Sequence, residues 1–225
     1  MKPIFSTTQH RLAAHYLNRL RAANARLVTG HVSSAQYGLK LLDLDWVGYM
    51  RAVCYGLYSL GAAHLRLNQY AEATARLQEA AELARQHHYP IVLQDVLDEL
   101  TQLYLTLGEP KTAEPFLYES ILLAREMEAG PDKTRCVANA VMLWKIKGFA
   151  EHAAGWAGVV ADSSFLDHSS WFATLADLEM TLGSEGFQQA LARGKLMALD
   201  ESLGEILKLL DPAHAPETRP EQMSE

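Results

Sequence analysis

Asn68, Gly108 and Gly148 follow one another at an interval of 40 residues, and an alanine stands five residues after each: Ala73, Ala113 and Ala153. An internal beat of this length constrains a fold more than composition does, because each repeat must be one supersecondary unit that buries its apolar face against its neighbours. Leu57, Leu97 and Val137 hold one register position, Leu60, Leu100 and Ala140 the next, and His64, Tyr104 and Trp144 a third. Beyond the alanines come Leu77, Leu117 and Ala157, then Ala80, Ser120 and Val160. The offsets of 3, 4 and 7 between these positions are helical, not strand-like. Each unit therefore reads as two helices. The first stops at Asn68, Gly108 or Gly148, residue types that tolerate a left-handed stop. The second starts close behind, as Pro110 suggests. The alanine sits one turn into that second helix, where a small side chain lets two axes approach.

The unit extends both ways. Gly30 and Ala35 stand in the same relation, with a first helix over roughly residues 8–28. Asp43 and Asp45 precede a helix from Trp46, and Tyr89-Pro90 and Gly130-Pro131 mark later turns. Downstream, residues 168–196 read as a pair broken near Gly183, and 200–210 as a last helix with Asp200 as its N-cap. The expected organisation is one repeat domain over 1–211, with pairs at 8–43, 46–87, 90–129, 131–162 and 168–196 and a cap at 200–210. Residues 212–225 have three prolines and no apolar period, and are expected to be disordered.

Leu57, Leu60-Gly61, Tyr70, Ala73, Leu77 and Ala80 together resemble the tetratricopeptide (TPR) consensus, with His64 the departure from it. The second copy keeps Leu97, Leu100, Tyr104, Ala113 and Leu117, and the third is weaker. The resemblance implies an all-α, right-handed α-solenoid of antiparallel helix pairs with a C-terminal capping helix. The interval of 40, longer than the ~34 of the common TPR, is similar to that of the TPR tails of large bacterial signalling ATPases and transcriptional regulators. Leu182–Leu207 also looks like the end of such tails, through Leu182, Gly183, Phe187, Ala190, Gly194, Lys195, Leu199, Asp200 and Glu201. By that resemblance the chain is an excised tail or a free-standing relative. No phosphate-binding G-x-x-x-x-G-K-[ST] motif accompanies it.

Charge and motif content exclude several functions. Twenty basic against 27 acidic residues, a net −7, argues against a general nucleic-acid binder. No apolar run reaches the ~18 residues of a membrane span, and Cys54 and Cys136 form no CxxC. The expected location is the cytoplasm. The nine histidines include no H-E-x-x-H, and His87-His88 are adjacent on a helix and point apart, so no metal or cofactor is expected. Asp95, Asp98 and Glu99 share a helix face and read as a solvated or partner-binding surface; no catalytic residue is assigned. Trp156 and Trp171 read as packing residues.

In TPR arrays the first helix of each pair lines the concave face. The resemblance places Arg21 and Asn24, then Tyr55 and Tyr58, then Asp95, Asp98, Glu99 and Gln102, then Arg135, Asn139 and Met142 on it. Aromatic anchors beside carboxylates suit an extended peptide or helix of basic character. The leading expectation is a non-catalytic module that binds a protein, peptide or small effector in bacterial regulation. Two alternatives stand beside it: a self-associating scaffold, and an enzyme with a cryptic site in the helical core.

Overall fold

The computed structural model describes residues 46–127, 130–163 and 169–211. Among them the chain is helical with no strand, in eight helices: α1 (Trp46–Arg66), α2 (Tyr70–Gln86), α3 (Pro90–Thr106), α4 (Pro110–Glu126), α5 (Gly130–Ile146), α6 (Ala150–Val159), α7 (Ser169–Gly194) and α8 (Leu199–Leu210). α1 packs on α2, α4 on α5, α5 on α6 and α6 on α7, the adjacent-helix packing of a helical-repeat solenoid of TPR-like pairs. The chain divides into two compact units, Met1–Leu103 and Tyr104–Glu225.

The stops between paired helices follow one rule. Asn68, Gly108 and Gly148 adopt left-handed backbone, with φ of 56°, 72° and 83°. In each turn that residue's N–H bonds the carbonyl three back, and the next N–H reaches five back. The latter bonds are Gln69 to His64 at 2.9 Å, Glu109 to Tyr104 at 2.8 Å and Phe149 to Trp144 at 2.9 Å. This is the Schellman closure, which satisfies carbonyls the helix end would otherwise leave open. His88 makes the same closure between α2 and α3 with φ of 56° and no glycine, and so carries the cost of a side chain in left-handed space.

In the first unit α1 packs on α2. Gly61 is buried, and a Cβ added there would lie 2.5 Å from Leu77 Cγ, which explains the glycine of the Leu-Gly pair. Ala73, Leu77, Ala80 and Ala84 have no exposed surface. The burial pattern of α2 over 71–86 recurs residue for residue in α4 over 111–126. Ala113, Leu117, Ser120 and Ala124 take the matching sites.

The second unit carries an aromatic pair at a fixed register. Tyr104 stacks on Phe116 at 5.5 Å, and 40 residues on Trp144 meets Trp156 edge-on at 5.1 Å. The first pair has His64 and Arg76 at those places. His64 instead shares a 2.6 Å hydrogen bond with Gln69, and Arg76 pairs with Glu79 at 2.7 Å. The departure of His64 from the consensus is thus a change of both partners, from ring packing to local polar contacts.

Burial of α6 exceeds that of its counterparts because α7 lies against it. A Cβ on Gly158 would strike the Leu191 carbonyl, and one on Gly194 would strike the Gly155 carbonyl. Glycine is what permits this crossing. Gly183, with φ 72° and ψ 158°, breaks α7 where the sequence places a break. The last helix, α8, buries Leu203 and Ile206 and packs on α4, α5 and α6. Asp200 is not its N-cap. Ala198, in extended backbone, holds that place, and Asp200 falls in the first turn, 2.7 Å from Lys133 on α5. The expected pair over 8–43 and the expected disorder of 212–225 lie outside the described residues.

Candidate functional site on the first helices of the pairs

The first helices of the pairs differ from the second helices in what they bury. The buried positions of α2 and α4 are alanine, leucine, isoleucine and one serine. Every buried Asp, Asn or Gln among the described residues lies on α3 or α5: Gln94, Asp98 and Asn139. Burying such groups is costly unless they are hydrogen-bonded, and each of the three is engaged by a polar or electrostatic partner. Thr101, also buried on α3, returns its hydroxyl to the Leu97 carbonyl at 2.8 Å.

In the first unit, α1 supplies Tyr55, which is exposed, and Tyr58, which is half-buried. α3 supplies Asp95, Asp98, Glu99 and Gln102 at helical spacing, so the four share a face. Asp95, Glu99 and Gln102 are half-buried. Asp98 is only 3% exposed, which corrects the expectation of a solvated carboxylate there. The two helices are electrostatically linked. Burial pushes the Tyr55 phenol above its ordinary value, and the negative charge of Asp95 pushes it further, against the opposing pull of Arg51. Glu99, its side chain 13% exposed, lies 3.6 Å from the outer guanidinium of Arg66. The result is an aromatic and carboxylate strip with its cations at the margin. Such a strip can pair a Lys or Arg with a carboxylate and lay its stem on a tyrosine ring.

In the second unit, α5 carries Arg135, half-buried and bonded to Asp132 at 2.6 Å, with Asn139 buried and Met142 half-buried. Arg21 and Asn24 lie outside the described residues. Gln94 was missed by register reasoning. Its signal was its place four residues before Asp98, on the same side of α3.

Among the described residues no group of three His, Cys, Asp or Glu is placed to hold a metal ion. No helix among them is long and apolar enough to cross a membrane. Trp156 and Trp171 are buried packing residues.

The fold and this polar face define a helical-repeat protein of TPR-like pairs. The chain is similar to outer dynein arm-docking complex subunit 4 of Mus musculus, with 25% identity over 220 residues. That alignment takes in 89% of this chain and 35% of the mouse protein, so the chain spans only part of this distant relative. No protein-family model matches the chain. No solved structure matches it.

Proposed function

We propose that the chain is a non-catalytic protein- or peptide-binding module, and that α1 and α3 present a contact face for a partner of basic character. The observation that carries the reading is the restriction of buried Asp, Asn and Gln to first helices, beside the tyrosines and carboxylates of α1 and α3. The burial pattern of α2 recurs in α4, whereas Tyr55, Asp95 and Arg135 differ at one register position of the first helices. Residues that break a structural repeat while holding a shared position are candidates for recognition. On α5, Arg135, Asn139 and Met142 offer a polar set of their own.

The mouse relative is named as a subunit of a docking complex, which favours a macromolecular partner over a small effector. A place in a bacterial regulator rests on the interval of 40 residues and the Leu182–Leu207 segment, and no finding adds support to it.

The test is fluorescence anisotropy with two sets of labelled peptides, one rich in Lys, Arg and aromatic residues and one rich in Asp and Glu. The basic set is expected to bind, with affinity falling as salt rises. Asp95→Lys is expected to weaken it about tenfold, as reversal of one partly buried charge contact does. Equal binding of both sets, or unchanged affinity in Asp95→Lys, would show the reading to be wrong.

A further inference from the structure

The last helix, α8, sits on the chain much as a separate amphipathic ligand would. It packs on α4, α5 and α6. Its link to α7 is residues 195–198, where Leu196 is 89% exposed and Ala198 is extended. Leu203, Ile206 and Leu210, at helical spacing, are buried, while Asp200, Glu201, Glu205 and Lys208 are exposed. A helix of 12 residues is marginal in water by itself. α8 therefore owes its helical form to the surface beneath it.

That surface departs from the repeat at one place. Val53 and Leu93 are both buried, and the residue 40 further on is Lys133. The Lys133 side chain is 12% exposed, and its ammonium donates to Asp200 Oδ1 at 2.7 Å. An apolar residue at this register would hold α8 with no need of a charged partner, and for stability alone a covered ion pair is a poor substitute. What lysine adds is selection: it accepts a helix with an acid in its first turn and rejects one with a base. The Asp200 side chain is 65% exposed, which leaves the pair open to salt and to competition. We infer that α8 is a charge-latched strap, which releases as a unit from α4, α5 and α6. The surface it uncovers takes a partner's amphipathic helix of the same pattern, an acid three residues before a stripe of Leu, Ile and Leu.

The probe is a labelled peptide of residues 199–211, titrated into the full chain and followed by fluorescence anisotropy. In the parent chain α8 competes with it. Asp200→Lys in the chain breaks the latch in cis but leaves Lys133 free to pair with the peptide, so the peptide is expected to bind about tenfold more tightly than to the parent. A Leu203→Asp peptide is expected not to bind. Lys133→Glu is expected to reverse the preference, so that an Asp200→Lys peptide binds this chain better than the native peptide does. Hydrogen exchange on the parent chain reads release without any variant. The α8 amides are expected to exchange about tenfold or more faster than those of α5, and faster still as salt rises. The inference is overturned by an Asp200→Lys chain that binds the peptide no better than the parent, or by a preference that does not follow the charge at 133. Exchange of α8 only together with α5 overturns it as well. So does a parent chain that sediments as a dimer and dissociates on Lys133→Glu, because a second copy's α8 would then be the occupant. No variant here touches α1 or α3, so this inference and the proposed function can fail separately.

Discussion

Gly155 and Gly158 lie one turn apart on α6, yet replacing them with alanine is expected to have opposite effects. A Cβ on Gly158 would overlap the Leu191 carbonyl oxygen and would stand 3.0 Å from the Leu191 carbonyl carbon and 3.1 Å from Gly194 Cα. These are backbone atoms of a packed helix and cannot swing aside. Restoring contacts of ~3.5 Å requires α6 and α7 to part by roughly 1 Å, and a gap of that size forfeits about a quarter to a half of the dispersion energy of each affected pair. Trp156 and Ala157 on α6 and Ala190 on α7 are buried beside this crossing. The expected cost of Gly158→Ala is about 2–3 kcal/mol, in the range for overpacking a rigid core. Gly155 has open space around a Cβ. There alanine meets nothing and gains helix propensity, for a stabilisation of about 0.5–1 kcal/mol. Urea titration followed by circular dichroism at 222 nm separates the two. With a slope near 2 kcal/mol/M, Gly158→Ala is expected to lower the midpoint by about 1 M and Gly155→Ala to raise it by a few tenths. A Gly158→Ala variant as stable as the parent, or a Gly155→Ala variant less stable than Gly158→Ala, would refute the close crossing of α6 and α7.

Three further expectations follow from the same packing. Ala113→Leu fills a site with no exposed surface and is expected to cost about 1–3 kcal/mol, visible as a lowered Tm. His88→Gly removes a side chain from left-handed backbone and is expected to stabilise by about 0.5–1 kcal/mol, read from the same urea titration, with no change or a loss counting against it. Burial pushes the Cys54 thiol from its ordinary 9.0 up to about 12. A folded-state pKa above the unfolded one gives stability that is full below pH 9 and is lost as pH rises toward 12, because only the unfolded chain releases the proton readily. The urea midpoint is therefore expected to fall across that window, and to fall less in Cys54→Ala; at pH 8 a thiol reagent should label Cys54 only after unfolding.

What the sequence disclosed and what it withheld divide along physical lines. The stops at Asn68, Gly108 and Gly148 and the alanines five residues later were legible because both are local demands. One is set by backbone handedness and the other by a crossing within a single hairpin. The interruption at Gly183 was legible for the same reason. The ion pair of Asp200 with Lys133 joins residues 67 apart in the chain, and nothing local distinguishes that aspartate from an N-cap. The extra burial of α6 depends on where α7 comes to rest, so the role of Gly158 and Gly194 could not be read from spacing. At the candidate face, the register groups Tyr55, Asp95 and Glu99 with Asp98 and gives Asp98 the same environment as its neighbours, whereas it is buried. Depth is decided by the helices packed around α3, and Gln94 escaped notice on the same account.

Under the proposed function, first helices carry recognition and second helices carry architecture. A two-dimensional amide NMR titration of the isotopically labelled chain with a Lys- and Arg-rich peptide tests it most directly. Saturable shifts are predicted at Tyr55, Asp95, Glu99 and Gln102, with Glu72, Gln78 and Glu82 on the exposed side of α2 left in place. Shifts concentrated on α2, or none that saturate, would contradict the account.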